Sequence, residues 1–342
     1  MKGRSLWNWP RVAVMIPLLL ICPAVAQSAG GATHAPDPIQ SGIVVEAVAK
    51  NSVAEKAGLR MGDVLLRWTR GATKGALEMP FELSRTETEQ APLGTVLLEG
   101  LRGAERQVWS LGPGEWGLTA RPNFTGTFLA LYQEGQELAA AGKVIEGAER
   151  WRVLAARLSG PSAPWLSAWL FAHAADRLVA VRQWKETDDA YQFAVQQAEK
   201  AGPMISVQLL QAWARAYLQR NDWANAEKYF QQSITESRRL GGGEFGVASS
   251  LAALGGTFGQ RGDLNKSEEY YRQALNIREK LAPGSLEVAK SLNNLGIAAS
   301  QRGELAKAEE YFRQALDIKQ RLAPGSLEVA ASFNNLGVVA WQ

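Results

Sequence analysis

The chain has 342 residues, 46% of them hydrophobic, which is more than one ordinary compact domain and suits two or three. Lysine and arginine number 37 against 34 acidic residues, and Lys2, Arg4 and Arg11 account for the whole excess. Once that leader is set aside the rest is charge-balanced, which argues against recognition of nucleic acid or another polyanion through bulk charge.

Residues 1–26 have the pattern of a secretory signal peptide: a basic start, an apolar run from Val12 to Ile21, and Ala24-Val25-Ala26 ahead of Gln27. The run is too short for a membrane span and is interrupted by Pro17 and Pro23, so no stable span is expected after cleavage. Cys22, the only cysteine, follows Ile21, which is bulkier than a lipoprotein signal takes at that place. The expectation is export to the periplasm or the medium without a lipid anchor. A chain cut after Ala26 has no cysteine, hence no disulfide, thiolate nucleophile or cysteine zinc site.

Residues 27–39 are small, polar and proline-bearing and read as a linker. Residues 40–118 change to short β-rich runs separated by glycine turns. Within them GIVVEAVAKNSVAEKAGLRMGDVLL, residues 42–66, predicts a strand, a helical turn at Ala54–Ala57, a reversal at Gly58 and a buried strand after Asp63. A helix is expected from Phe81 to Gln90 and a hairpin around Arg102-Gly103. These features resemble a bacterial PDZ domain. The resemblance implies an exposed sheet edge at Gly42, Ile43, Val44 and Val45 to which a peptide adds as a strand, although S-G-I-V stands where that family has G-L-G-F. A purely structural PDZ-like module fits equally well.

Residues 119–127 read as a connection, and the remainder of the chain is helical in pattern. Residues 128–203 predict two diverged helical hairpins, and residues 204–342 repeat with a 41-residue period whose last copy is incomplete. Leu254, Leu295 and Leu336 match across copies, as do Gly262 with Gly303, Tyr270 with Tyr311 and Pro283 with Pro324. Such self-similarity predicts an all-α solenoid. Gly296 and Ala308 are expected where the two helices of a hairpin cross, and Gly303 at a left-handed turn between them.

SLNNLG, RGELAKAEEYFRQAL and LAPGSLEVA resemble tetratricopeptide repeats, in the long form of kinesin light chains and of bacterial proteins with caspase-like (CHAT) domains. The resemblance implies a right-handed superhelix whose first helices line a concave peptide groove. Helical spacing then turns Gln208, Gln211 and Arg215, Lys290, Asn293, Ile297 and Ser300, and Asn334 and Val338 toward that groove. Asn293 and Asn334 suit either a ligand backbone or a bond to a neighbouring helix, and Asn294 and Asn335 the latter.

No catalytic residue, cofactor or metal site is expected. G-x-S-x-G is missing, AAAGKV at 139–144 lacks phosphate-loop spacing, and His34 and His173 fall in the linker and in a repeat helix. The expected partners are proteins or peptides, with no nucleic acid and no small-molecule substrate. The functional expectation is an exported interaction scaffold. The alternatives are the sensory part of a larger enzyme with a caspase-like protease domain beyond residue 342, and a structural spacer.

Overall fold

The computed structural model describes residues 39–158 and 163–342. The expected signal segment, Cys22, His34 and all of the linker except Ile39 lie outside them.

The first module is an antiparallel sheet in the order β5-β4-β2-β1-β6, with β3 also paired to β2. Its strands are β1 (Ile39–Val48), β2 (Val64–Arg70), β3 (Thr73–Ala76), β4 (Val96–Arg102), β5 (Glu105–Leu111) and β6 (Leu118–Phe124). Alternation along the strands puts Ile43, Val45, Leu65, Val96, Leu98 and Leu111 wholly inside, around the buried ring of Trp116. Each such side chain contributes about 1.5–3 kcal/mol by leaving water.

The helical turn α1 (Val53–Lys56) starts where Ser52 Oγ accepts the Glu55 amide at 3.1 Å. Helix α2 (Pro80–Glu89) carries proline in its first turn. The Glu82 carboxylate folds back to accept the Glu78 and Met79 amides at 2.6 and 3.1 Å.

Residues 118–124 are strand, where the sequence reading placed the end of the module and a connection. The segment alternates inward at Ala120, Pro122 and Phe124. Pro122, which reads as a breaker, is tolerated because β6 is an edge strand.

Among the described residues eleven helices follow, as five antiparallel hairpins and a final single helix. They are α3 (Gly126–Ala140) with α4 (Val144–Arg157), α5 (Pro164–Ala180) with α6 (Trp184–Ala201), α7 (Pro203–Gln219) with α8 (Trp223–Leu240), α9 (Glu244–Gln260) with α10 (Leu264–Leu281), α11 (Leu286–Gln301) with α12 (Leu305–Leu322), and α13 (Leu327–Trp341).

Two devices repeat with the sequence period. At the crossing inside each hairpin a small residue lies under an aromatic ring: a Cβ on Gly255 would meet Tyr271 at 2.6 Å, and one on Gly296 would meet Phe312 at 2.6 Å. The corresponding pair in the preceding copy is Ala214 and Phe230, both wholly buried. Between hairpins, a buried cation pins one copy to the next. Arg278 donates to Ser291 Oγ at 2.9 Å and pairs with Glu287 at 3.0 Å; one period on, Lys319 donates to Ser332 Oγ at 3.0 Å. Gly303 turns the chain between α11 and α12 at φ +78°, as expected, and Asn221 does so at φ +60° between α7 and α8.

Candidate binding surface on the inner helices

Helices α7 and α11 turn polar side chains, and α9 its first turn, toward the β-module. Gln208 Nε2 donates to the Phe81 carbonyl at 3.2 Å, and Lys290 Nζ lies 3.5 Å from Glu115 and 2.9 Å from Glu287. At the end of α2, Glu89 Oε1 accepts the Gly246 amide at 3.0 Å and so caps the start of α9. Desolvation raises the Glu89 carboxyl above its ordinary pKa, against the pull of the Gly246 and Phe245 amides.

The expected groove residues nearest the module differ in what they meet. Gln208 and Lys290 face the module. Gln211 is buried and donates to the Gly246 carbonyl at 3.2 Å and to Ser250 Oγ at 2.9 Å, so it joins α7 to α9. Arg215 stays exposed on the same stripe.

Farther along, beyond the module, the stripe is open. Ile297 and Val338 keep 39% and 45% of their surface, and Asn334 is exposed. Asn293 Oδ1 accepts Asn335 Nδ2 at 2.8 Å, a rung between α11 and α13 that leaves the Asn293 amide group available. Ser300 Oγ donates to Gln342 Oε1 at 3.5 Å.

The expected peptide edge of the β-module is covered. Ile43, Val44 and Val45 pair antiparallel with Pro122, Arg121 and Ala120 of β6, so the chain's own strand stands where a free edge was anticipated. The preceding Gly42, at the irregularity inside β1, sits at φ +88°, and a Cβ there would come within 2.7 Å of the Leu65 carbonyl oxygen, so β1 lies tightly over β2. Strand β6 in turn packs against α2.

At the junction of the module with α3 and α5, a polar cluster is enclosed by aromatic rings. Tyr132 Oη donates to Glu46 Oε1 at 2.7 Å, Gln136 Nε2 donates to Tyr132 Oη at 2.6 Å, and His173 Nε2 lies 3.4 Å from that hydroxyl. The His173 ring stacks on Trp169 at 4.9 Å and meets Trp151 edge-on at 4.5 Å. Burial, aided by the charge of Arg177, pushes the His173 pKa down to about 3. Burial likewise raises Glu46, opposed by Tyr132 and Arg121. His173 was expected to be a packed or surface helix residue, and it is packed.

Between α2 and β6 on one side and α5, α7 and α9 on the other lies a chamber of about 350 Å³. Phe81, Trp169, Ala172 and Val207 form its buried wall, and Arg85, Thr88, Asp176 and Arg215 its exposed rim. Sequence reasoning found Arg215 but not the module's share. Arg85 and Glu89 sit on a helix that carries no periodic signal of a partner, and only the tertiary fold brings them to the repeats. Among the described residues no His, Cys, Asp and Glu group could hold a metal, and no helix is long and apolar enough to cross a membrane.

The tetratricopeptide repeat family matches residues 206–280 and 281–342. No curated protein sequence matches the chain. Among solved structures, BtubC (BKLC) from P. vanneervenii superposes with a TM-score of 0.52 at 24% identity, covering 58% of this chain and 82% of that one. Aspartyl phosphate phosphatase F from Bacillus subtilis gives 0.51 at 13% identity, over 61% of this chain and 54% of that one. Nearly identical TPR-like repeats of a kinesin light chain type from Podosopora anserina give 0.45 at 17% identity, over 56% and 94%. Residues 206–342 thus match the tetratricopeptide repeat family, set behind an antiparallel sheet module, and the solved structures of BtubC and aspartyl phosphate phosphatase F share the fold of the helical part.

Proposed function

We propose that the protein is an exported interaction scaffold that binds extended peptide segments on the open stretch of its inner helices. The observation that carries the reading is the row Asn293, Ile297, Asn334 and Val338. Two amide side chains able to bond a peptide backbone stand beside two exposed aliphatic side chains, on adjacent inner helices that the β-module leaves uncovered. An apolar patch beside amide donors and acceptors is what an extended segment of varied sequence requires.

In this reading the PDZ-like module acts as an internal brace rather than a free receptor, because β6 takes the edge at Ile43–Val45. Export rests on the leader pattern in residues 1–26. The proposed role is binding, with no catalytic residues assigned.

The test is a peptide-library screen against the full chain, followed by titration of the best ligand. An Asn293→Ala/Asn334→Ala double variant is expected to weaken that ligand at least tenfold while its circular dichroism stays unchanged. Full affinity in the double variant, or the lack of any sequence-selective ligand, would refute the assignment.

A further inference from the structure

We propose that the chamber between α2 and the inner helices α5 and α7 binds a small apolar carboxylate, presented as the last residue of a peptide or as a free acid. The proposal rests on reading the inner helices as a binding surface and adds to it a second site with its own chemistry.

Three observations carry it. The chamber holds about 350 Å³, within the range of small-ligand sites, and its buried wall of Phe81, Trp169, Ala172 and Val207 is apolar. Its two carboxylates are already engaged: Glu89 accepts the Gly246 amide, and Asp176 accepts the Tyr191 hydroxyl. Its two guanidinium groups are not. Among the described residues Arg85 and Arg215 take part in no hydrogen bond, although Glu89 lies near the first and Asp176 near the second. Vacant forked donors over an apolar wall select an acceptor-rich head on an apolar body, and a carboxylate fits a guanidinium through two parallel bonds. The two arginines come from different modules, so the site exists only where α2 is seated on the repeats.

The test uses the full chain, with tryptophan fluorescence from Trp169 in the wall and calorimetry as readouts. The probes are acetyl-Ala-Leu-Val with a free carboxylate, the same peptide as its C-terminal amide, and octanoate. Saturable binding of at least one acid is expected, with the amide at least tenfold weaker. Arg85→Gln/Arg215→Gln is expected to weaken the acid at least tenfold, and Thr88→Trp, an exposed rim position, to block it. Both variants should keep the parent far-ultraviolet spectrum, since none of these side chains makes a hydrogen bond among the described residues. Tighter binding of the peptide acid than of octanoate supports the proposal with a peptide terminus as source, and the reverse supports it with a free acid. It is overturned if neither acid binds, if acid and amide bind alike, or if the double arginine variant binds as the parent does. Binding lost in Asn293→Ala/Asn334→Ala but kept in the arginine variant also overturns the chamber, while leaving the open stretch as the binding surface.

Discussion

Replacing Gly296 by alanine sets two opposed effects against each other at a single atom. In a helix interior that change ordinarily stabilises by about 1 kcal/mol, through lower backbone entropy in the unfolded chain. Here the new Cβ would lie 2.6–2.9 Å from three ring carbons of Phe312. That ring is 2% exposed. Forcing a methyl into such a contact moves α11 away from α12 or the ring off its rotamer, at about 1–3 kcal/mol. The net expectation is a loss of up to about 2 kcal/mol, read as a melting-temperature fall of roughly 1–2 °C per kcal/mol for a chain of this size. Amide hydrogen exchange should place the loss in α11 and α12. Phe312→Leu removes the obstructing ring edge, so the double variant should be less destabilised than the sum of the two single changes. A Gly296→Ala melting temperature raised by the full helix-propensity gain would refute the steric account. Alanine is admissible in such a crossing, as Ala214 under Phe230 shows, but there the hairpin is built around it.

Arg278→Ala removes the pin between two copies. Glu287 keeps Lys290 as a partner at 2.9 Å, so the loss is held to about 1–3 kcal/mol, chiefly from the stranded Ser291 hydroxyl and the vacated space; Arg278→Lys, the residue type at position 319, should restore most of it. A urea midpoint for Arg278→Ala equal to the parent's would show the pin to be idle. The His173 pKa is lowered in the folded chain, so the unfolded chain binds the extra proton first as pH falls below about 6.5. Stability from this group is whole above that pH and is lost on acidification toward 3, by about 2 kcal/mol between pH 6.5 and 5. Melting curves of the parent and His173→Gln should therefore differ in slope over that window, and parallel curves would contradict it.

The repeats were legible because each copy states the same local rules: glycine or asparagine at the turn, a small residue at the crossing, an aromatic ring opposite it on the second helix. A 41-residue period multiplies a signal that a single hairpin would leave weak. The stripe facing inward was legible for the same reason, since Gln208 and Lys290 occupy matching places in their copies and both meet the β-module. What covers the stripe was not. The seat of α2 on α9 depends on Glu89 reaching an amide 157 residues away, and no local pattern announces such a partner. Strand β6 was missed because Pro122 and Asn123 carry turn chemistry, whereas pairing with β1 is decided at long range by the inward Ala120 and Phe124. Gln211, placed in the groove by periodicity, is drawn instead into a bond with Ser250, because the first-helix neighbours stand close enough there to share it.

The pairing of β1 with β6 also bears on the order in which the chain acquires structure. The sheet's first strand closes against its last, from Ile39 to Phe124, so the module cannot finish until some 80 residues have been gathered into one loop, while every helical hairpin forms from neighbours in sequence. On a ribosome the β-module would wait, incomplete, until β6 emerged. The helices that continue directly from Gly126 would then appear one hairpin at a time, each extending a surface on which the finished sheet can settle. Seating of α2 on α9, and with it the chamber, is on this view among the last events of folding.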